Sequence, residues 1–328
     1  MLGYALRRLL LVPPTLLGIS LLTFLLLNLA PGRHAASAEA PGELPSLRAA
    51  HERLEQAWDL RDPATGELRA WTTRYGMWLA RALRFDFAGP GEDPRLLRER
   101  FARALQVTGL LAGLALLLAV PLGILLGARL GMRAGRRGER LASGLVLGLH
   151  ALPEFLVATL LLLTFGSWLP GVGLQSDGAE QWPLGARVLD LLLHLVLPVV
   201  SLALGPFVLV VRWVRDAVRS RAHGDLAGAL RGFGMPDAVV EQRVLANSLA
   251  PLLTVLGAFV PLLVAGSVVV ERVFAIDGMG SLAWQAFRER DQSVVMAVAI
   301  LSTLATLLGF LVSDLLHAAV DPRVRLGR

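Results

Sequence analysis

His150 and Glu154 stand four residues apart in Leu141–Ser176, a stretch with no other charged group. On a continuous α-helix this spacing brings an imidazole and a carboxyl to one face, where they can share a hydrogen bond. At the edge of an apolar segment the pair would mark a polar entrance; deeper inside it would line a path for a solute or a proton. His194 is the one ionisable residue of Leu191–Val211 and suits helix packing, and Asp314 follows the last uncharged run. His34, His51, His223 and His317 are dispersed, with no spacing that gathers them around a metal ion. Neither His-Glu-x-x-His nor Gly-x-Ser-x-Gly occurs. The absence of Cys excludes disulfides, thiolate nucleophiles and Cys-ligated metals. All 32 basic side chains are Arg, so there is no Walker A lysine and no Schiff base. The expectation is a chain with no catalytic residue, no metal site and no cofactor of its own.

The elements that position these few groups are apolar. Of 328 residues, 55% are hydrophobic and only 18% charged, against roughly 25% charged in soluble domains, and the mean hydropathy is +0.59. Leu9–Gly32, Ala104–Ala128, Val244–Val270 and Gln292–Ser313 vary in polarity but hold no charge, and Leu191–Val211 and Leu141–Ser176 add two more apolar runs. Each approaches or exceeds the roughly 20 residues that cross a bilayer. Six spans and an all-α polytopic membrane fold are therefore expected. The first run is too long for a signal-peptide core, and Ala30-Pro31-Gly32 is a poor cleavage pattern.

Arginine distribution orients the spans. With both termini inside, inner segments carry 16 Arg, among them Arg7, Arg8, Arg129, Arg133, Arg136, Arg137 and Arg140. Short outer loops carry four: Arg187, Arg272, Arg288 and Arg290. Cytoplasmic termini follow from the positive-inside rule, and the inner Arg side chains would meet anionic headgroups. The net charge of +6 is thereby accounted for by the lipid surface, without nucleic acid. The expected layout is residues 1–32 for the N-terminal end and first span, then an extracytoplasmic loop domain over 33–100. A core over 101–328 follows, with spans near 104–128, 143–168, 189–212, 250–271 and 292–316, a loop over 213–249 and a tail over 317–328. Within the outer loop, Leu47–Trp58 reads as an amphipathic helix.

The inner loop Arg212–Ala250 is 39 residues long, more than a turn and less than a domain. Arg212-Trp213-Val214-Arg215 continues the fourth span. Asp225-Leu226-Ala227-Gly228-Ala229-Leu230-Arg231-Gly232-Phe233-Gly234 reads as a short helix with Asp225 as N-cap and Gly234 as left-handed C-terminal stop. Ala227, Gly228, Ala229 and Gly232 would leave one face bare for another surface to approach. Pro236 suits the first turn of a second helix, which runs through Asn247 to Pro251. Such a segment is either a structural loop or a docking device.

At this loop the sequence resembles the coupling motif of binding-protein-dependent ABC importer permeases. The pieces that carry the likeness are Ala229–Gly234 with Asn247-Ser248-Leu249-Ala250-Pro251. Gly18-Ile19-Ser20, Ala30-Pro31-Gly32, Tyr75-Gly76-Met77-Trp78-Leu79 and Phe85-Asp86-Phe87 resemble the family's first span and outer loop. Pro121-Leu122-Gly123, Pro153-Glu154-Phe155, Leu169-Pro170-Gly171-Val172-Gly173, Glu271-Arg272-Val273-Phe274, Gly278-Met279-Gly280 and Asp321-Pro322-Arg323 follow in the same order. The match is to the first permease subunit of the dipeptide/oligopeptide/nickel group. Departures are Arg33-His34 after Gly32, Glu154 at a position that is usually small, and Gly228 where a polar residue is usual.

The resemblance implies a type I ABC importer permease fold in a bacterial inner membrane. It also implies a second homologous permease, two cytoplasmic ATPases that bind ATP and Mg, and an extracytoplasmic solute-binding protein. The ATPases would push on Asp225–Gly234, with Asn247 and Pro251 setting the entry into span five. Glu154, Pro198, Pro206 and Pro261 would line the solute path, and Gly278 and Gly280 would turn the chain at the outer gate. A standalone six-span channel or secondary transporter is the alternative; it has no need of a docking segment.

Overall fold

The computed structural model describes residues 2–29, 70–84, 86–87, 93–249, 252–289 and 291–320. Leu47–Trp58, Pro251 and residues 321–328 of the tail therefore lie outside the described residues. Among the described residues the chain is helical and contains no strand. The helices are α1 (Leu2–Leu29), α2 (Trp71–Ala82), α3 (Pro94–Met132), α4 (Arg137–Ala151), α5 (Glu154–Phe165) and α6 (Leu184–Ala222). They continue as α7 (Asp225–Gly232), α8 (Asp237–Leu249), α9 (Leu252–Val273), α10 (Met279–Glu289) and α11 (Gln292–Val320).

Four of these are long and apolar enough to cross a membrane: α3, α6, the Leu256–Val273 part of α9 and the Val294–Leu315 part of α11. The apolar stretch Leu10–Leu26 of α1 is shorter. The third expected span differs from its single-helix reading: α4 and α5 meet at a bend of 98°. Pro153 is the cause. It has no N–H to donate, and it holds Leu152 in extended backbone at φ −76°, ψ 128°. α3 and α6 each run 39 residues, past the apolar segments they contain. Hydropathy fades at the first Arg, whereas a helix stops only at a cap. Asp93 Oδ1 accepts the Arg95 amide at 2.8 Å, with Pro94 in the first helical position, and so starts α3 within its polar flank.

Two compact units are resolved. One is Leu10–Arg103 with Ala283–Leu304. Here Tyr75 of α2 packs on Phe24 (ring centroids 5.4 Å apart) and on Trp78 (6.1 Å). Its hydroxyl lies 2.8 Å from Ser20 Oγ. Arg100 donates to Gln285 Oε1 at 2.6 Å.

The other unit comprises Met1–Leu9, Ala104–Leu282 and Ala305–Arg328. Its centre is α6: 67% of the apolar window is buried, against 22% for α3 and for α11. Leu197, Leu202, Val210, Val214 and Val218 of α6 pack with Leu111, Ala115 and Ala119 of α3 and with Phe259 and Leu263 of α9. Leu117 and Leu163 stay more than two thirds exposed, as lipid-facing side chains would. Gly123, Gly127 and Gly131 form a small-residue stripe along α3 that lets its backbone meet α6 directly. A methyl group on Gly127 would stand 2.7 Å from the Val211 carbonyl oxygen and 2.9 Å from Val214 Cβ. Gly127→Val is therefore expected to lower the thermal unfolding midpoint in detergent, with a cost of about 1–3 kcal/mol or more from overpacking. Gly113→Ala, where nothing lies within 4 Å, should not. Equal midpoints for the two variants would refute the packing assignment.

Candidate functional site

α6 carries Arg212, Arg215, Arg219 and Arg221 beyond its apolar part, then ends at His223, whose Nδ1 lies 3.0 Å from the Arg219 carbonyl. Gly224, extended at φ −94°, ψ −179°, stands at the N-cap of α7, and no side chain caps that end. Asp225 is thus the first helical residue and not the N-cap that its type suggested. It still sits where the helix dipole favours a negative charge.

The other end closes as a Schellman motif. The Met235 amide donates to the Leu230 carbonyl at 3.1 Å and the Gly234 amide to Arg231 at 2.9 Å. Gly234 is left-handed at φ +72°, which glycine alone adopts without cost. Leu230 and Met235, the two positions that are commonly apolar in such a cap, each pack against the core of this unit. α8 follows directly: the Val239 and Val240 amides donate to the Pro236 carbonyl at 2.9 and 3.1 Å. Ser248 fastens α8 to α6, its hydroxyl 2.7 Å from the Val244 carbonyl and 3.4 Å from the Ala217 carbonyl. The exposed Asn247 amide returns to its own helix, donating to Arg243 O at 2.8 Å.

The consequence is a short helix with two sides. Ala227 is fully buried and Leu230 half-buried against α6 and α8. Asp225, Leu226, Gly228, Ala229, Arg231, Gly232, Phe233 and Gly234 are exposed. Ala227 was expected on the bare face and lies on the opposite one. Gly228 and Gly232 have nothing within 4 Å of a would-be Cβ. Beside them Phe233 is 82% exposed, a large apolar side chain standing in the open. Arg231 is engaged within the chain, at 3.5 Å from Asp237, both side chains more than half exposed.

A second cluster surrounds Gly278 and Gly280. Glu271, in the last turn of α9, is fully buried. Its Oε1 accepts the Thr108 hydroxyl at 2.6 Å and its Oε2 accepts the Ser281 amide at 2.7 Å. Thr108 Oγ1 in turn accepts the Met279 amide at 2.8 Å. One carboxylate thereby holds the first turn of α10, whose exposed amides attract negative charge. A Cβ on Gly278 would collide with the Glu271 carboxyl, and one on Gly280 with the Val268 backbone. Both glycines are needed for close approach. Sequence alone marked these glycines as a turn and quoted Glu271 only as part of the Glu271-Arg272-Val273-Phe274 likeness, with no role for its carboxylate.

Two further acids also went unmarked. Glu139, 4% exposed, receives Arg215 Nη2 at 2.6 Å and Nε at 2.7 Å, and the Ser143 hydroxyl at 2.8 Å. Asp190 receives the Ser176 amide at 2.8 Å and hydroxyl at 2.7 Å, and the buried His194 lies 3.4 Å away. Glu139 finds Arg215 76 residues away and Asp190 finds Ser176 14 residues back across a loop, pairings that no helical spacing announces.

Glu154 opens α5, beyond the bend, while His150 closes α4. They do not share a helical face, and no hydrogen bond joins them among the described residues. Both instead line a cavity of about 80 Å³ together with Ser201, Leu202, Pro206 and Leu262. Pro206 thus joins Glu154 there, whereas Pro198 is buried inside α6 and Pro261 lies outside the lining, next to Leu262.

Comparison with known proteins follows the same outline. The family model described as binding-protein-dependent transport system inner membrane component matches residues 119–326. The dipeptide transport system permease protein DppB of Bacillus subtilis (strain 168) is 28% identical over 326 residues, covering 98% of both chains. Oligopeptide transport system permease proteins are equally similar. AppB of the same organism is 28% identical, with 99% of each chain covered. OppB of Salmonella typhimurium is 28% identical, with 99% of this chain and 100% of that protein covered. The chain belongs to the inner-membrane permease family of binding-protein-dependent ABC importers.

Proposed function

We propose that the chain forms half of a peptide path through the inner membrane and couples it, through α7, to ATPases on separate subunits. The carrying observation is the two-sided α7. Ala227 and Leu230 anchor it to α6 and α8, while Leu226, Ala229 and Phe233 are exposed among the described residues. Peptide as cargo is supported by the names of the dipeptide and oligopeptide relatives.

On this reading a second homologous permease completes the path. An extracytoplasmic solute-binding protein delivers the peptide, and nucleotide-driven closure of two ATPases moves α7 and α6 together. ATP and Mg belong to those ATPases, since this chain has no Lys for a Walker A loop. The Arg bias supports cytoplasmic termini and, with them, a location of α7 on the ATPase side. Six spans then require α1 to cross and the bent α4–α5 pair to count as one. Gly278 and Gly280, gathered by Glu271, belong to the opposite end of the path.

Phe233→Ala tests the docking role. Buried aromatic anchors at interfaces are worth about 2 kcal/mol or more, so the variant should weaken retention of the ATPases about 30-fold in pull-down from detergent. The exposed ring contributes little to the fold, and the unfolding midpoint should hold. Undiminished retention would show that the ATPases bind elsewhere.

A further inference from the structure

The four carboxylates inside Ala104–Leu282 that are not exposed fall into two kinds. Glu139, Asp190 and Glu271 each receive at least two donors from the chain itself. Glu154 receives none among the described residues, although it is half-buried. A half-buried carboxylate that no donor of its own chain satisfies among the described residues is costly inside a membrane, and there such a group marks a functional site.

Its place is built rather than accidental. A methyl group on Gly266 would stand 2.7 and 2.8 Å from the two carboxylate oxygens. The glycine therefore gives the side chain its room. Around it, Ser201, Leu202 and Pro206 sit at the middle of the 39-residue α6, and Leu262 at the middle of the 22-residue α9. The cavity is thus at half-length of two spans, where transporters hold their solutes.

Besides His150, whose neutral ring can accept as well as donate, the polar lining supplies acceptors. Ser201 donates its hydroxyl hydrogen to the Leu197 carbonyl at 2.9 Å, which leaves its oxygen lone pairs. Pro206 has no N–H, so the Leu202 carbonyl lacks its usual helical donor. A carboxylate, a hydroxyl oxygen and a carbonyl match the three N–H donors of a primary ammonium group. About 80 Å³ accommodates such a head group with a few waters but not a peptide.

We propose that the Glu154 cavity is a recognition point for a primary ammonium group, the free amino end of the peptide in transit. This rests on the reading of the chain as a peptide permease and adds a charge preference to it.

The test uses the complete assembly with its ATPases and binding protein in proteoliposomes. Uptake of trialanine and of N-acetyl-trialanine is measured for wild type and Glu154→Gln. The binding protein is common to both assemblies, so its own preference cancels in the ratio of variant to wild type for each peptide. The expected result is at least a tenfold loss for trialanine and less than twofold for its acetylated twin. Butylammonium, a head group without a peptide, should inhibit wild-type uptake and fail to inhibit the variant; it decides the matter alone if the acetylated peptide is not carried. Equal loss for both peptides, as a structural role or a salt bridge to the second permease would give, overturns the proposal. So does undiminished trialanine uptake or persistent butylammonium inhibition in the variant. Uptake that needs no ATP would instead remove the proposed coupling and leave the Glu154 comparison valid.

Discussion

A tryptophan at Ala229 is expected to abolish most solute-stimulated ATP hydrolysis while the chain still inserts and folds. Ala229 is exposed, on the outward side of α7, and its neighbours Gly228 and Gly232 face open space among the described residues, so a larger side chain there has room within its own unit. What it removes is the close approach that small residues allow. Overpacking at a closely fitted contact costs about 1–3 kcal/mol, which corresponds to roughly 5- to 150-fold in association. Hydrolysis by the reconstituted assembly should fall at least tenfold, with the unfolding midpoint of the permease unchanged. Full stimulation in the Ala229→Trp protein would show that no partner reaches this face. The comparison with Phe233→Ala is informative, because one variant adds bulk and the other removes an anchor, yet both should act on the same docking step.

Glu271→Ala should produce the largest loss of stability. The carboxylate is completely buried and holds the Ser281 amide, while Thr108 bridges it to the Met279 amide. Removing it leaves the start of α10 without its acceptor and opens a cavity between α3 and α9. Each orphaned buried donor costs about 1–3 kcal/mol. The expected outcome is a lower unfolding midpoint and faster proteolysis near residues 274–281, with Glu271→Gln falling between variant and wild type because it keeps the shape and one acceptor oxygen. An Ala variant as stable as wild type would mean that the turn is held by its backbone alone, through bonds such as Ile276 N to Glu271 O at 2.8 Å.

The sequence made some of this legible and hid the rest for definable reasons. The short α7 and its stop were readable because both are local: a small-residue run, then a glycine that adopts φ +72°, then Pro236. Its starting residue was misplaced by one, since Asp225 is a common N-cap type but Gly224 occupies that position in extended backbone. The side on which Ala227 falls was not readable, because small residues spread around α7 and only the packing of Leu230 fixes which way it turns. Hydropathy found the apolar runs and could not see that Pro153 would break one of them by 98°. That break also separated His150 from Glu154, a pair whose spacing had meaning only on an unbroken helix. The roles of Glu139, Asp190 and Glu271 escaped for a common reason, although Glu271 stood in a quoted motif. Each is a single acid at the margin of an apolar run, and its partner (Arg215, Ser176 or Thr108) is chosen by the tertiary fold.

The glycine stripe on α3 has a mechanical corollary. Where Gly123, Gly127 and Gly131 press against Val210, Val214 and Val218, α3 puts no side chain of its own between the two helices and the short, stiff valines of α6 fill the gap, so neither helix can roll or slide without collision. That stretch of α3 and α6 is one stiff strut, and α7 hangs from its end by a two-residue hinge. Any stroke delivered below must tilt the strut whole, leaving the deformation to softer joints such as the elbow at Pro153.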